Sequence, residues 1–189
     1  NSYGSLGYAL SLTIKLIPTK PYVWTRYVKF SRATEYFSAM KLACIKSEWE
    51  GKKVDFIDGV VFGPREMYLI LGTMVTDAPY THDYSYKNIF YKSIQTRHED
   101  YLSIHDYIWR WDTDWFWCSR VLGAQNPILR RIYGRKRLKS EFYMKLFGIE
   151  SKYRIAARTS RVLNRPKRES IIQDVEIPIQ SSETFLRFF

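Results

Sequence analysis

The stretch DYIWRWDTDWFWCSR, residues 106–120, places Trp109, Trp111, Trp115 and Trp117 within nine positions, four of the six tryptophans in the chain. Two neighbours carry chemistry of their own. Tyr107 can donate a proton or a hydrogen bond, and Arg110 can stabilise developing negative charge or hold an anionic group. A structural role is open to both. Asp106 lies four residues before Arg110, the favourable order for a helical ion pair, and Asp114 offers a second carboxylate. The rings themselves admit three readings. They can pack a core, line a substrate cavity through Trp109, Trp111, Phe116 and Trp117, or sit as an aromatic belt at a membrane interface.

Metal chemistry finds no support. His82, His98 and His105 show no ligand spacing and read as surface or loop histidines. Cys44 and Cys118 form no CxxC pair, and both fall on apolar helical stripes, so both are expected in the core. Two cysteines fit a reduced, cytoplasmic setting.

The net charge of +11 is unevenly placed. Residues 130–168 hold 14 Lys+Arg against 2 Asp+Glu, while the rest of the chain nearly balances. Such a block can bind nucleic acid, bind anionic lipid, or form a solvated face. Tyr133, Phe142, Tyr143, Phe147 and Tyr153 interleave with it, as stacking on RNA would need. No RNA-recognition or helix-turn-helix signature accompanies them. No apolar run reaches the roughly 18 residues of a membrane-spanning helix. A cytoplasmic location is expected, with a peripheral position at a membrane through residues 130–168 as one of the open readings of the basic block.

The elements that must position these groups follow from periodicity. YALSLTIKLI (8–17) alternates apolar and polar and predicts a half-buried strand, ended by Pro18 and Pro21. YVWTRYVKF (22–30) predicts a second. Ser31 is the expected cap of a helix running to about Trp49, with Tyr36, Phe37, Met40, Cys44 and Ile45 inward and Gly51 as its stop. KVDFIDGVVFG (53–63) and EMYLILGTMVT (66–76) predict two strands about a Gly63-Pro64 turn. Residues 77–105 read as irregular or short-helical. From 104 to 122 one helix is expected, its buried stripe comprising Ile104, Ile108, Trp111, Trp115, Cys118 and Leu122. Asn126-Pro127 opens another, and 135–163 looks helical with basic faces. VEIPIQ (175–180) predicts an edge strand, and Ser181 or Ser182 caps a last helix. The class is α+β: an incomplete ferredoxin-like antiparallel sheet, helices on one face, and a long, mostly helical aromatic and basic insertion. The expected division is 1–21, then 22–76 with 171–189, with 77–170 inserted.

The start of the chain adds a glycine turn, Gly4-Ser5-Leu6-Gly7, without a Walker or dinucleotide pattern. GSLGYALSLTIKLIPTKPYV resembles the close of the FAD-binding domain in the PCMH-type, vanillyl-alcohol oxidase-like FAD-linked oxidases. FIDGVVFGPREMYLILGTMVTD, the FW of the tryptophan stretch, NPILRRIYG and IIQDVEIPIQSSETFLRFF resemble, in order, the Δ24-sterol reductase (seladin-like) branch and its bacterial relatives. The match covers most of residues 4–189.

This resemblance implies a flavoprotein with FAD as cofactor. Residues 1–21 would close the FAD-binding domain, residues 22–76 and 171–189 would form the substrate cap, and the chain would be a fragment, inactive alone. Gly4, Ser5, Leu6 and Gly7 match the flavin-proximal turn. Tyr107 and Arg110 become the candidate catalytic pair, and Trp109, Trp111, Phe116 and Trp117 the wall of an apolar cavity above the flavin. The branch carries several histidines in the segment that matches DYIWRWDTD, where Trp109, Trp111 and Asp112 lie here, so another apolar substrate stays open beside a sterol. The competing reading is a non-enzymatic basic module for an anionic membrane or RNA.

Overall fold

The computed structural model describes residues 10–154, 158 and 176–188. Strand β1 (Tyr22–Phe30), helix α1 (Ala33–Lys46), a small hairpin of β2 (Glu48–Trp49) and β3 (Lys52–Lys53), β4 (Phe56–Gly63) and β5 (Glu66–Val75) come first. Then follow α2 (Phe90–Thr96), β6 (Glu99–Ser103), α3 (Ile104–Ile108), a 3-10 turn over Asp112–Trp117, α4 (Cys118–Val121), α5 (Pro127–Arg137), α6 (Ser140–Tyr153) and α7 (Ser182–Phe188). The sheet order is β4-β5-β1-β6, with every neighbouring pair antiparallel. The succession β1-α1-β4-β5-α2-β6 is the β-α-β-β-α-β of a ferredoxin-like unit. The α+β class and the antiparallel sheet are those expected, but the fourth strand comes from within residues 77–170.

Residues of opposite parity along each strand face opposite layers. Val23, Tyr27, Tyr68, Ile70 and Leu102 pack with Phe90, Ile94, Tyr84 and Tyr107 on one face. Met67, Leu69 and Leu71 pack with Tyr36, Ala39 and Ala43 of α1 on the other, and Leu186 of α7 joins them. Helices thus cover both faces, α1 and α7 one and α2 and α3 the other, where helices on one face were expected.

Several local expectations are corrected. Residues 10–20 form no strand, and Leu10 is 98% and Leu12 82% exposed. A strand's N–H and C=O groups need a neighbour, and among the described residues no strand pairs with this segment. Helix α1 starts from Arg32, whose side chain makes no cap bond, and ends where Ser47 takes φ 51°. Glu50 and Gly51 both have positive φ and form the tip of the β2–β3 hairpin, so Gly51 turns a hairpin instead of stopping a helix. Cys44 is exposed, because α1 turns Ala39 and Ala43 inward. Residues 176–180 form no strand; Pro178 lacks the ladder donor. Strand β6 lies in the stretch read as irregular. It buries Asp100 and Leu102, so a carboxylate occupies an inward position and hides the alternation.

The single helix expected over 104–122 is broken. Ser103 caps α3, accepting from the Asp106 N–H, but the helix ends at Trp109 and a 3-10 turn follows. Ile108 is consequently exposed instead of joining a buried stripe. The expected starts at Asn126 and Ser182 are correct. The Asn126 side chain accepts from Ile128 N–H at 2.8 Å and Leu129 N–H at 3.3 Å. The part of the basic helical stretch after residue 158 lies outside the described residues.

Phe90 is fully buried and meets Tyr27, Tyr84 and Trp111 edge-on, with ring centroids 6.3, 5.2 and 4.9 Å away. Replacing it opens a cavity that the sheet cannot collapse into. Phe90→Ala is expected to lose about 3–5 kcal/mol of stability in urea unfolding; a loss under about 1 kcal/mol would show that this layer is not packed as described.

Candidate functional site

Tyr107 and Arg110 are brought together. Arg110 lies over the Tyr107 ring, its guanidinium carbon 4.0 Å from the centroid, and donates to the Tyr107 carbonyl at 2.6 Å. The turn after α3 allows this reach. Arg110 Nη2 lies 3.1 Å from Asp58 Oδ2 on β4, so the partner expected at Asp106 is replaced by one from the sheet. Asp106 instead accepts from Ser103 Oγ at 2.7 Å. Asp114 accepts from Ser119 Oγ, not from Arg110. Arg110 Nε is buried without a hydrogen-bond partner.

The Tyr107 ring packs 5.0 Å from that of Phe56. Its hydroxyl points at the sheet over Gly72, where an added Cβ would stand 3.1 Å from Oη. Burial pushes that hydroxyl above its ordinary range, with Arg110 opposing and Asp58 assisting. It is therefore a neutral phenol at physiological pH. The trio runs from a buried phenol through a mostly buried guanidinium to a carboxylate that is a third exposed.

The remaining predicted residues scatter. Trp111 packs into the core layer against Phe90. Trp109 is half exposed and lines a different, open cleft of about 390 Å³ with His105, Asp112, Arg135, Lys139 and Glu141. That cleft is charged, not the apolar cavity expected around Trp109. The side chains of Phe116, Trp117 and Cys118 lie outside the described ones, as do Gly4, Ser5, Leu6 and Gly7. Among the described residues no metal-binding cluster occurs, and no helix is long and apolar enough to cross a membrane.

A second polar centre went unread in the sequence. Asp100 is fully buried on β6. It accepts from the Tyr84 hydroxyl, lies 2.6 Å from His82 Nδ1, and accepts from the Tyr101 N–H at 2.9 Å. Arg97 Nε stands 4.0 Å away. His82 is thus tied to a carboxylate instead of being a free surface histidine. Burial, then the bond to Asp100, raises the Tyr84 hydroxyl far above its ordinary value. An acidic residue at an inward register, with tyrosine and histidine shortly before it, was the one available signal.

The basic stretch divides likewise. Arg130 is only 3% exposed and donates to the carbonyls of Tyr86, of Ala124 at 3.1 Å and of Asn88 at 3.3 Å. Burial pulls its guanidinium below the ordinary value. It staples α5 to the loop before α2 and cannot also serve a ligand. Arg131, Lys136, Arg137, Lys139, Lys145 and Lys152 are exposed.

Burial pushes the hydroxyls of Tyr27 and Tyr36 up to about 12. The unfolded chain releases those protons near pH 10, so the folded state holds more protons between about 10 and 12. Stability therefore falls as pH rises through that window, by about 1 kcal/mol per unit and tyrosine. Urea midpoints measured across it should decline less steeply for Tyr27→Phe; parallel slopes for both proteins would contradict the assignment.

No family model matches the chain, and no solved structure matches it. Curated proteins do. The chain is 27% identical over 205 residues to the Delta(24)-sterol reductase homolog dhcr-24 of Caenorhabditis elegans, an alignment covering 100% of this chain and 36% of that protein. It is 26% identical over 147 residues to the Delta(24)-sterol reductases of Rattus norvegicus and Homo sapiens, covering 70% of this chain and 27% of each. The chain spans about a third of the length of the curated relatives it matches. It is thus similar, at a distance, to proteins named Delta(24)-sterol reductase, in line with the resemblance carried by its motifs.

Proposed function

We propose that this chain is the substrate-binding part of a FAD-dependent oxidoreductase of the FAD-linked oxidase type. The substrate is apolar, sterol-like or another lipid, and the reaction class is hydride transfer. The observation that carries this reading is the alignment through the whole chain to the nematode sterol reductase homolog. Flavin supplies the redox step when bound, and the protein supplies binding, orientation and a proton. The described residues do not fit a flavin cradle: their clefts are open and lined by charged side chains. Its contacts fall in this proposal to Gly4, Ser5, Leu6 and Gly7, and residues 1–189 alone are expected to hold little or no flavin and to be inactive.

Within the described part, Tyr107 and Arg110 are the proposed chemical groups. Tyr107 is a neutral phenol that Arg110, paired with Asp58, holds with its hydroxyl over Gly72, so in this proposal a substrate receives its proton only where the aromatic layer around Tyr107 opens. Both stand at the aromatic layer of Phe56, Phe90 and Trp111, which excludes water. Absorption of the full-length gene product, then its anaerobic reduction by NADPH and reoxidation by candidate sterols, tests the class. A protein that FAD cannot reconstitute would refute it. Tyr107→Phe should slow substrate reoxidation of reduced flavin by about a hundredfold or more if it donates the proton; an unchanged rate and pH profile would leave Tyr107 a packing residue.

The competing basic module gains one specific observation, which favours membrane over RNA. Ile128 and Ile132 of α5 and Met144 of α6 are well exposed among Arg131, Lys136, Arg137 and Lys145. Phosphate contacts alone need no exposed isoleucines, whereas an interfacial helix needs apolar and cationic groups together. A peripheral anionic membrane surface is compatible with an enzyme that draws its substrate from a bilayer. Co-sedimentation with phosphatidylcholine vesicles containing phosphatidylserine should be lost in an Ile128→Asp/Ile132→Asp variant; retention by that variant would count against this face.

A further inference from the structure

A cleft of about 280 Å³ opens beside α2, away from the tryptophans and from Tyr107. Lys92, Ser93, Thr96 and Arg97 line it, spaced so that one side of the helix and its end present all four. Lys87 and Asn88 come from the turn before α2, and Gln125 from the loop before α5. No carboxylate belongs to the lining.

The neutral polar groups there are already engaged. Ser93 Oγ donates to the Phe90 carbonyl at 2.7 Å and Thr96 Oγ1 to the Lys92 carbonyl at 3.1 Å. Asn88 Nδ2 donates to the Asp83 carbonyl at 3.0 Å, and Gln125 Nε2 to Tyr91 Oη at 2.7 Å. The two lysines are not. Among the described residues no ion pair engages Lys87 or Lys92. Arg97 is held from behind the cleft, its Nη1 3.1 Å from His82 Nε2 and its Nε 4.0 Å from Asp100, so its charge is already answered in part. Lys87 and Lys92 thus share one concavity whose lining holds no carboxylate, and an anion there relieves their repulsion.

The geometry points to an anion site here, built by Lys87, Lys92 and Arg97 and selective for a phosphate or pyrophosphate group. Ammonium groups bind phosphate as point charges, and the guanidinium adds directed donors. Two unpaired lysines beside an anchored guanidinium favour a multiply charged anion over a carboxylate. The volume lies below the roughly 300–1,000 Å³ of pockets that enclose a whole drug-sized ligand. The cleft therefore holds the phosphate moiety, while the remainder of the ligand stays outside. That moiety belongs either to a soluble phosphorylated compound or to a phospholipid headgroup. These residues lie outside the basic block of 130–168, so net charge did not single them out.

Calorimetric titration of the chain with inorganic pyrophosphate tests the site. A Lys87→Gln/Lys92→Gln variant is compared with Lys41→Gln/Lys46→Gln, which removes equal charge from exposed positions on α1. Circular dichroism checks that both fold. Saturable one-to-one binding is expected for the wild type and the α1 variant, weakened about tenfold or more in the cleft variant. Vesicles of phosphatidylcholine with and without phosphatidic acid separate the sources. Loss of acidic-vesicle binding only in the cleft variant assigns the headgroup; equal vesicle binding with lost pyrophosphate binding assigns the soluble compound. Absence of both kinds of binding, or equal weakening in the two variants, overturns the site.

Discussion

Strand β5 is buried on both faces. From Met67 to Leu71 no residue is more than 5% exposed, and this constraint shapes the whole molecule. A strand apolar on both sides needs two covering layers, which antiparallel sheets with one wet face do not. Helix α1 and Leu186 of α7 supply one layer. The other is built from residues 84–111, which explains why that stretch is so rich in tyrosine, phenylalanine and tryptophan. Aromatic rings cover more area per residue than aliphatic chains, so a short, irregular segment can close a sheet face.

That second layer also carries the buried polar groups. Asp100 sits under Tyr84 and His82, and Arg110 spans from Tyr107 to Asp58. Arg130 ties α5 to the loop before α2 through the carbonyls of Tyr86 and Asn88, and also holds that of Ala124. A buried charge is costly unless paired and hydrogen-bonded. Each of these charges meets partners from another segment, which ties the irregular stretch to the sheet and to α5. Arg110 Nε and Arg26 Nε remain buried without hydrogen-bond partners, so the satisfaction is incomplete at two points.

The same architecture separates surfaces by chemistry. The aromatic layer is closed around Tyr107. The cleft beside α2 is cationic, and α5 and α6 mix exposed isoleucine and methionine with lysine and arginine. The apolar substrate, the phosphate group and the lipid surface proposed above would thus meet different parts of the chain. Similarity to sterol reductases runs through the chain as a whole and does not select among these surfaces.

Much of the scaffold was legible in local order. The β4–β5 hairpin, β1, α1 and the Asn126 cap follow from period-two alternation, helical spacing and turn chemistry, which depend on near neighbours only. Tyr107 and Arg110 could be named as chemical groups because residue type alone sets what a side chain can donate. Their partners could not. Asp58 lies 52 positions before Arg110, and Asp100 is met by His82 from a loop. Pairing across such separations depends on strand register, which only the assembled sheet sets. Residues 10–17 show the converse: their alternation is that of a half-buried strand, yet burial requires a neighbour, and the described part of the chain provides none. Sequence by itself determined which elements could form and which groups could react. Tertiary structure decided which faces were covered and which charges met, because burial and ion pairing belong to surfaces that no single segment contains.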